Sequence, residues 1–158
     1  MAFVTPSTPN LTDFLAFAQG QGVPAADVPT STANVYQPQY ALNDALDEVD
    51  GEYSVGAGSA VMRYVMAVYN LALHIWVING DDLSGQTFFT DTRTKMGLLS
   101  FTGGVVQTSN DENTGTTLAV VDGYKKLPPW AVAYTLTPWG NKYLNYALRG
   151  GPSVVVMV

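Results

Sequence analysis

Leu11, Phe14, Leu15 and Ala18 fall at i, i+3, i+4 and i+7, a spacing that places four apolar side chains on one face of a helix. With Asn10 in front as an N-cap and Gly20 behind as a stop, the pattern predicts a short helix over 11–19. Leu42, Ala45, Leu46 and Val49 repeat the spacing and predict a second helix from near Pro38 to Asp50. Between the two, Pro24, Pro29 and the cluster Thr30-Ser31-Thr32 predict an extended connection. The outer face of the second helix carries Asn43, Asp44, Asp47, Glu48 and Asp50. Acids along one helix lack the loop geometry a hard cation needs, so they read as a solvated face.

The third pattern has no polar side. From Ala60 to Ile78 the chain is almost continuously apolar, which predicts a helix buried all round, capped by Ser59 and followed by Gly80 in the C′ position. Its length approaches a membrane span. Arg63, Asn70 and His74 interrupt it, however, and Tyr64 and Tyr69 lie in mid-segment, so a protein core is the predicted environment and no membrane is expected. A fourth helix is predicted over 86–96, with Phe88, Phe89 and Met96 inward, Asp91, Arg93 and Lys95 outward, and Gly97 as its end.

After Gly97 the period changes. Val105-Val106-Gln107-Thr108 and Thr116 to Val121 are β-prone runs flanking a polar stretch from Ser109 to Gly115, so a hairpin at about 104–121 is predicted. The last helix has Thr137 as N-cap, Pro138 at N1 and Gly150 after Arg149. Trp139, Tyr143, Leu144, Tyr146, Ala147 and Leu148 give it a wide apolar surface. Gly150-Gly151-Pro152 then lead into an uncharged β-branched run, predicting an extended arm at about 150–158. The expected fold is mainly α: a short helical bundle with an inserted β-hairpin and an extended C-terminal arm, forming one domain over 1–158.

Composition sharpens this picture at the surface. Of 158 residues, 47% are hydrophobic and only 13% are charged, about half the usual charged share. That leaves little charge to cover a free monomer: either subunit interfaces that resemble a domain core cut in half cover the apolar surface, or this is an ordinary domain with polar uncharged loops. Seven basic residues against thirteen acidic ones give a net charge of −6, which argues against wrapping DNA by phosphate neutralisation and is compatible with a channel that DNA slides through. The N-terminal stretch Met-Ala-Phe-Val-Thr-Pro shows no secretory pattern.

Candidate chemistry is sparse. There is no cysteine and one histidine, so thiol chemistry and His-pair metal sites are excluded, and His74 reads as a satisfied core or interface residue. Gly103-Gly104 and Gly56-Ala57-Gly58 lack the following residues of a phosphate loop. Asp111-Glu112 are adjacent acids at a polar tip, and nothing there would shift their pKa values for acid-base work. Tyr124-Lys125-Lys126 is the one basic pair. Trp130, Tyr134 and Trp139 lie within ten residues of one another. They form either a packed core or interface cluster or a stacking platform for a sugar or base. No catalytic residue, metal ligand or cofactor is expected.

Phe88-Phe89, Arg93, Lys95, Gly103-Gly104-Val105-Val106, Asp111-Glu112 and the stretch from Thr137 to Leu144 follow one another in that order. From about Leu11 to Arg149 the chain resembles the head-to-tail adaptor, or connector, family of tailed bacteriophages. The resemblance implies a structural subunit of a homo-oligomeric ring, usually twelvefold. Such a ring binds the portal protein on one side and a tail or nozzle protein on the other, and passes genomic DNA without reading its sequence. It also implies assembly in the host cytoplasm and a final place in the virion neck. The expected partner-binding residues are Asn110, Asp111, Glu112 and Asn113 at the hairpin tip and Ser153, Val154, Val155, Val156, Met157 and Val158 in the arm. The arm is expected to add to a neighbouring protein as a strand, with an internal edge strand as the alternative. Two other functions stay open: a ligand-binding or enzymatic domain built on the aromatic cluster, and another tail-completion subunit.

Overall fold

The structure, a computed structural model, describes residues 8–29, 36–49, 59–99, 108–111, 114–117 and 129–149. Those residues are mainly helical. In chain order they form α1 (Leu11–Gly20), a 3-10 helix (Ala25–Asp27), α2 (Pro38–Glu48), α3 (Ser59–Asn79), α4 (Phe88–Lys95), strands β1 (Thr108–Asp111) and β2 (Thr114–Thr117), α5 (Pro129–Tyr134) and α6 (Pro138–Arg149).

The long helix α3 is the axis of the body and packs against α1, α2, α4 and α6. Val65, Val68, Tyr69, Leu71, Ala72, Leu73, Trp76 and Val77 are all buried, as expected of a helix whose apolar residues occupy every face. Its start carries the exposed Met62 and Arg63. Aromatic rings tie α3 to both neighbours on one side: Phe14 of α1 lies 5.8 Å from Tyr69 and 5.9 Å from Trp76, and Trp76 lies 5.3 Å from Phe89 of α4. These tilted arrangements are the favoured ones for aromatic pairs.

The ends of α1 and α4 show why the local sequence folds as it does. Asn10 is extended, and its Oδ1 accepts from the Asp13 backbone N–H at 3.0 Å, the expected N-cap. The Tyr69 hydroxyl accepts from the Asn10 backbone N–H at 3.1 Å, so the cap is also locked to α3. At the end of α4, Gly97 has φ of +71°, a left-handed conformation that glycine adopts without strain.

Several expectations need correction. Ser59 is the first helical residue of α3 and not a residue in front of it. Gly80 is absent from the glycines with positive φ; its smallness matters instead, because a Cβ there would lie 2.5 Å from the Trp76 carbonyl oxygen and 3.0 Å from Phe89 Cε1. The short helix α5 was not foreseen, since six residues hold too few turns for a periodic pattern.

An inserted hairpin spanning 104–121 is not supported. What is present is a four-pair antiparallel ladder, Thr108↔Thr117 to Asp111↔Thr114. The Val105-Val106 and Leu118 to Val121 stretches expected to form its strands lie outside the described residues. So does the expected arm at 150–158. Among the described residues, no helix is long and apolar enough to cross a membrane.

Candidate functional site

The expected partner-binding residues are only partly visible. Ser153, Val154, Val155, Val156, Met157 and Val158, together with Glu112 and Asn113, lie outside the described residues. Asn110 and Asp111 are strand residues, opposite Gly115 and Thr114. That corrects the expected loop from Ser109 to Gly115: the ladder reaches into the polar stretch, because Thr108 to Asp111 and Thr114 to Thr117 pair directly and leave two residues between the strands. The structure brings together two other polar centres, both at helix ends.

The first is the seam between α3, α5 and α6. His74 is 3% exposed, and its Nδ1 lies 2.8 Å from Thr137 Oγ1. Thr137 Oγ1 also accepts from the Gly140 backbone N–H at 3.0 Å, which is the N-cap bond of α6. Because that oxygen is already an acceptor, its hydroxyl proton is free to point at His74, which fits a neutral imidazole with Nδ1 as acceptor. Burial pushes the His74 pKa down to about 4, as desolvation disfavours the charged form.

Tyr134 closes the seam. Its ring meets His74 edge-on at 5.5 Å and Tyr143 at 5.2 Å, and its hydroxyl donates to Glu48 of α2. Burial and the Glu48 hydrogen bond raise the Tyr134 phenol. Gly140 is obligatory at this point, since a Cβ would collide with the Tyr134 carbonyl oxygen and come within 2.8 Å of His74 Nδ1. A hydroxyl beside an imidazole has the spacing of a nucleophile and its base. Here, however, the hydroxyl is 1% exposed and serves as a helix cap, so the geometry assigns Thr137 and His74 to structure.

The second centre is the corner between α3 and α4. The Asp82 carboxylate accepts from the backbone N–H groups of Phe89 at 2.7 Å and Thr90 at 2.9 Å, capping α4. Burial alone would raise its pKa, but the bonds from Thr90 and Phe89 and the Arg93 guanidinium outweigh it and hold Asp82 below the usual carboxylate range. Arg93 Nη1 in turn donates to the carbonyls of Val77 at 3.3 Å, Ile78 at 3.2 Å and Gly80 at 2.5 Å. Arg93 therefore satisfies the free carbonyls at the end of α3 and does not face solvent as expected. The available signal was a lone arginine one turn from the end of a helix that follows another by a short loop.

The charge of Asp82 is also felt by Asp27 of the 3-10 helix. Its side chain is fully buried, and neither carboxylate oxygen has a hydrogen-bond partner. Burial first, and then repulsion from Asp82, raise the Asp27 pKa.

The remaining candidates resolve into packing or surface roles. Trp139 is buried and its indole N–H reaches Gln21 Oε1 at 3.4 Å, whereas Tyr134 is engaged by His74, Tyr143 and Glu48, so these two rings serve different contacts. The Trp130 side chain, Asp50, the two glycine-rich stretches at 56–58 and 103–104, and Lys125-Lys126 lie outside what is described. On α2, Asn43, Asp44, Asp47 and Glu48 are exposed, as expected. Two of these acids also serve tyrosines: Asp44 accepts from the Tyr36 hydroxyl at 3.0 Å, and Glu48 from Tyr134. Among the described residues, no group of three or more His, Asp or Glu side chains is arranged to hold a metal. Comparison with family models, curated proteins and solved structures finds no match for this chain.

Proposed function

We propose that this protein is a structural adaptor subunit that forms a ring between the portal and the tail or nozzle of a tailed phage and continues the DNA channel, without catalytic activity. Its place would be the virion neck, after assembly in the host cytoplasm. The observation that carries the reading is that the described residues form a helical body with a buried core and still expose large apolar side chains. Tyr40 is 52% exposed, Met62 53%, Leu99 61% and Leu136 50%. On a chain with only 13% charged residues, such groups are suited to subunit contacts.

The order of segments that resembles the adaptor family supports the same reading, and a net charge of −6 is compatible with a channel that DNA slides through. In this proposal the 104–121 region and the 150–158 arm meet neighbouring proteins, the arm by strand addition. The test is light scattering after size-exclusion chromatography, followed by electron microscopy with and without portal protein. Rings that form alone or on the portal support the adaptor. A monomer that ignores the portal and binds a saccharide or nucleotide would replace it with a ligand-binding domain.

A further inference from the structure

The 3-10 helix Ala25–Asp27 is built inside out for a surface turn. Pro24, Ala25 and Ala26 are exposed, while the one ionisable residue, Asp27, is fully buried with both carboxylate oxygens unpartnered. An ionised carboxylate left so is among the costliest arrangements in a folded protein. The charge of Asp82 worsens the situation, since that carboxylate repels Asp27 and is itself held ionised by Phe89, Thr90 and Arg93. The same α3–α4 corner also receives the chain beyond the 3-10 helix: the Tyr36 backbone N–H donates to Asp81 Oδ2 at 3.4 Å.

We propose that Asp27 is a proton-binding site that sets how the 3-10 helix docks against the α3–α4 corner. With a proton bound, the neutral carboxyl tolerates its buried place opposite Asp82. Without it, the carboxylate favours a state in which the 3-10 helix withdraws from Asp82 and the charge reaches water. The charged groups of the corner are Asp82, which repels Asp27, Arg93, which stabilises the ionised Asp82, and Asp81, next to Asp82 in the loop.

A proton suits this position better than the other cations. Arg93 Nη1 is committed to the Val77, Ile78 and Gly80 carbonyls, and the Arg93 charge already serves Asp82. Both oxygens of Asp82 are already bonded to backbone N–H groups, which leaves a metal with few ligands. The direction of the effect follows from linkage. A carboxyl whose folded pKa lies above its unfolded value of 3.8 stabilises the fold at low pH, and that contribution is lost as pH rises above 3.8.

The experiment compares the full chain with Asp27→Asn from pH 4 to pH 8, by thermal melting and by hydrogen exchange at the Asp27 and Val28 amides. These amides bond to Pro24 and Ala25 carbonyls at 3.0 and 3.3 Å. The variant should gain a few degrees of Tm over the parent as pH rises, and the parent alone should lose protection at the two amides once intrinsic base catalysis is corrected for. A Tm difference that stays constant with pH, or protection that is equal in both proteins, overturns the proposal. So does restoration of the parent, and not the variant, by millimolar Ca2+ or Mg2+ at pH 7, which would assign the place to a metal.

Discussion

His74 and Asp27 are both ionisable and both buried, and the chain treats them in opposite ways. His74 sits where its Nδ1 already has a hydroxyl partner in Thr137 and its ring packs edge to face with Tyr134. Asp27 sits where nothing supplies what a carboxylate needs, and the charge of a second carboxylate opposes it. The difference teaches that burial by itself does not decide the role of a polar residue. What decides it is whether the neighbours satisfy the form that burial selects. In the seam they do, and the result is a fixed joint. In the corner they do not, and the joint depends on solution conditions.

The largest expected effect tests whether α6, whose N-cap Thr137 belongs to the seam, is as firmly anchored as this contrast requires. Trp139→Ala removes a buried ring from α6 where it meets the core and Gln21, and should cost about 3–5 kcal/mol. Denaturant midpoints report it directly. A change below about 1 kcal/mol would mean that Trp139 is a surface contact, and the anchoring role of α6 would have to be given up. Gly140→Ala attacks the same seam from the other direction, by overfilling it against a backbone carbonyl that has little room to move. It should cost about 3 kcal/mol, the upper end for overpacking.

Next in size is the pH response of the seam. The folded His74 pKa is about 4 against an ordinary 6.5, so between those values the unfolded chain binds more protons than the folded one. Stability is therefore full above pH 6.5 and falls as pH drops toward 4, by up to about 3 kcal/mol. Asp27 acts in the opposite sense from pH 3.8 upward, so in the parent the two slopes oppose each other over the range they share. Replacing His74 with Gln should remove the acid loss and uncover the decline due to Asp27. If the His74→Gln profile keeps the parent's shape, the imidazole is not the group that titrates.

These contrasts also mark what could be read from residues alone. The helices were legible where period and caps agreed. Asn10 ahead of Leu11, Phe14 and Ala18 places α1, and Thr137-Pro138 places the start of α6. The burial of α3 followed from its having no polar face. The partnerships that define both centres were not legible, because they join residues far apart in the chain: His74 with Thr137, Tyr134 with Glu48, Asp27 with Asp82. Local patterns carry no information about which distant side chain arrives beside a given one. Arg93 shows the same limit, since a charge on a short helix reads as a surface residue until the free carbonyls of the previous helix are in view.

The smallest effect is the most discriminating, because it sets two consequences of one substitution against each other. Asp82→Ala removes the cap of α4, leaving the Phe89 and Thr90 N–H groups without their acceptor, at a cost of about 1 kcal/mol. It also removes the charge that opposes Asp27, which returns part of that cost at neutral pH. In an Asp27→Asn background there is no opposing charge to relieve, so the cap loss should appear in full. Asp82→Ala is thus expected to destabilise the Asp27→Asn protein more than the parent at pH 7, by about 0.5 kcal/mol or more. As pH falls and Asp27 takes up its proton, the two backgrounds should converge. Urea midpoints for the four proteins measure the coupling. Equal costs in both backgrounds at pH 7 would show that the two carboxylates do not interact, and the opposition between a fixed seam and a conditional corner would then rest on burial alone.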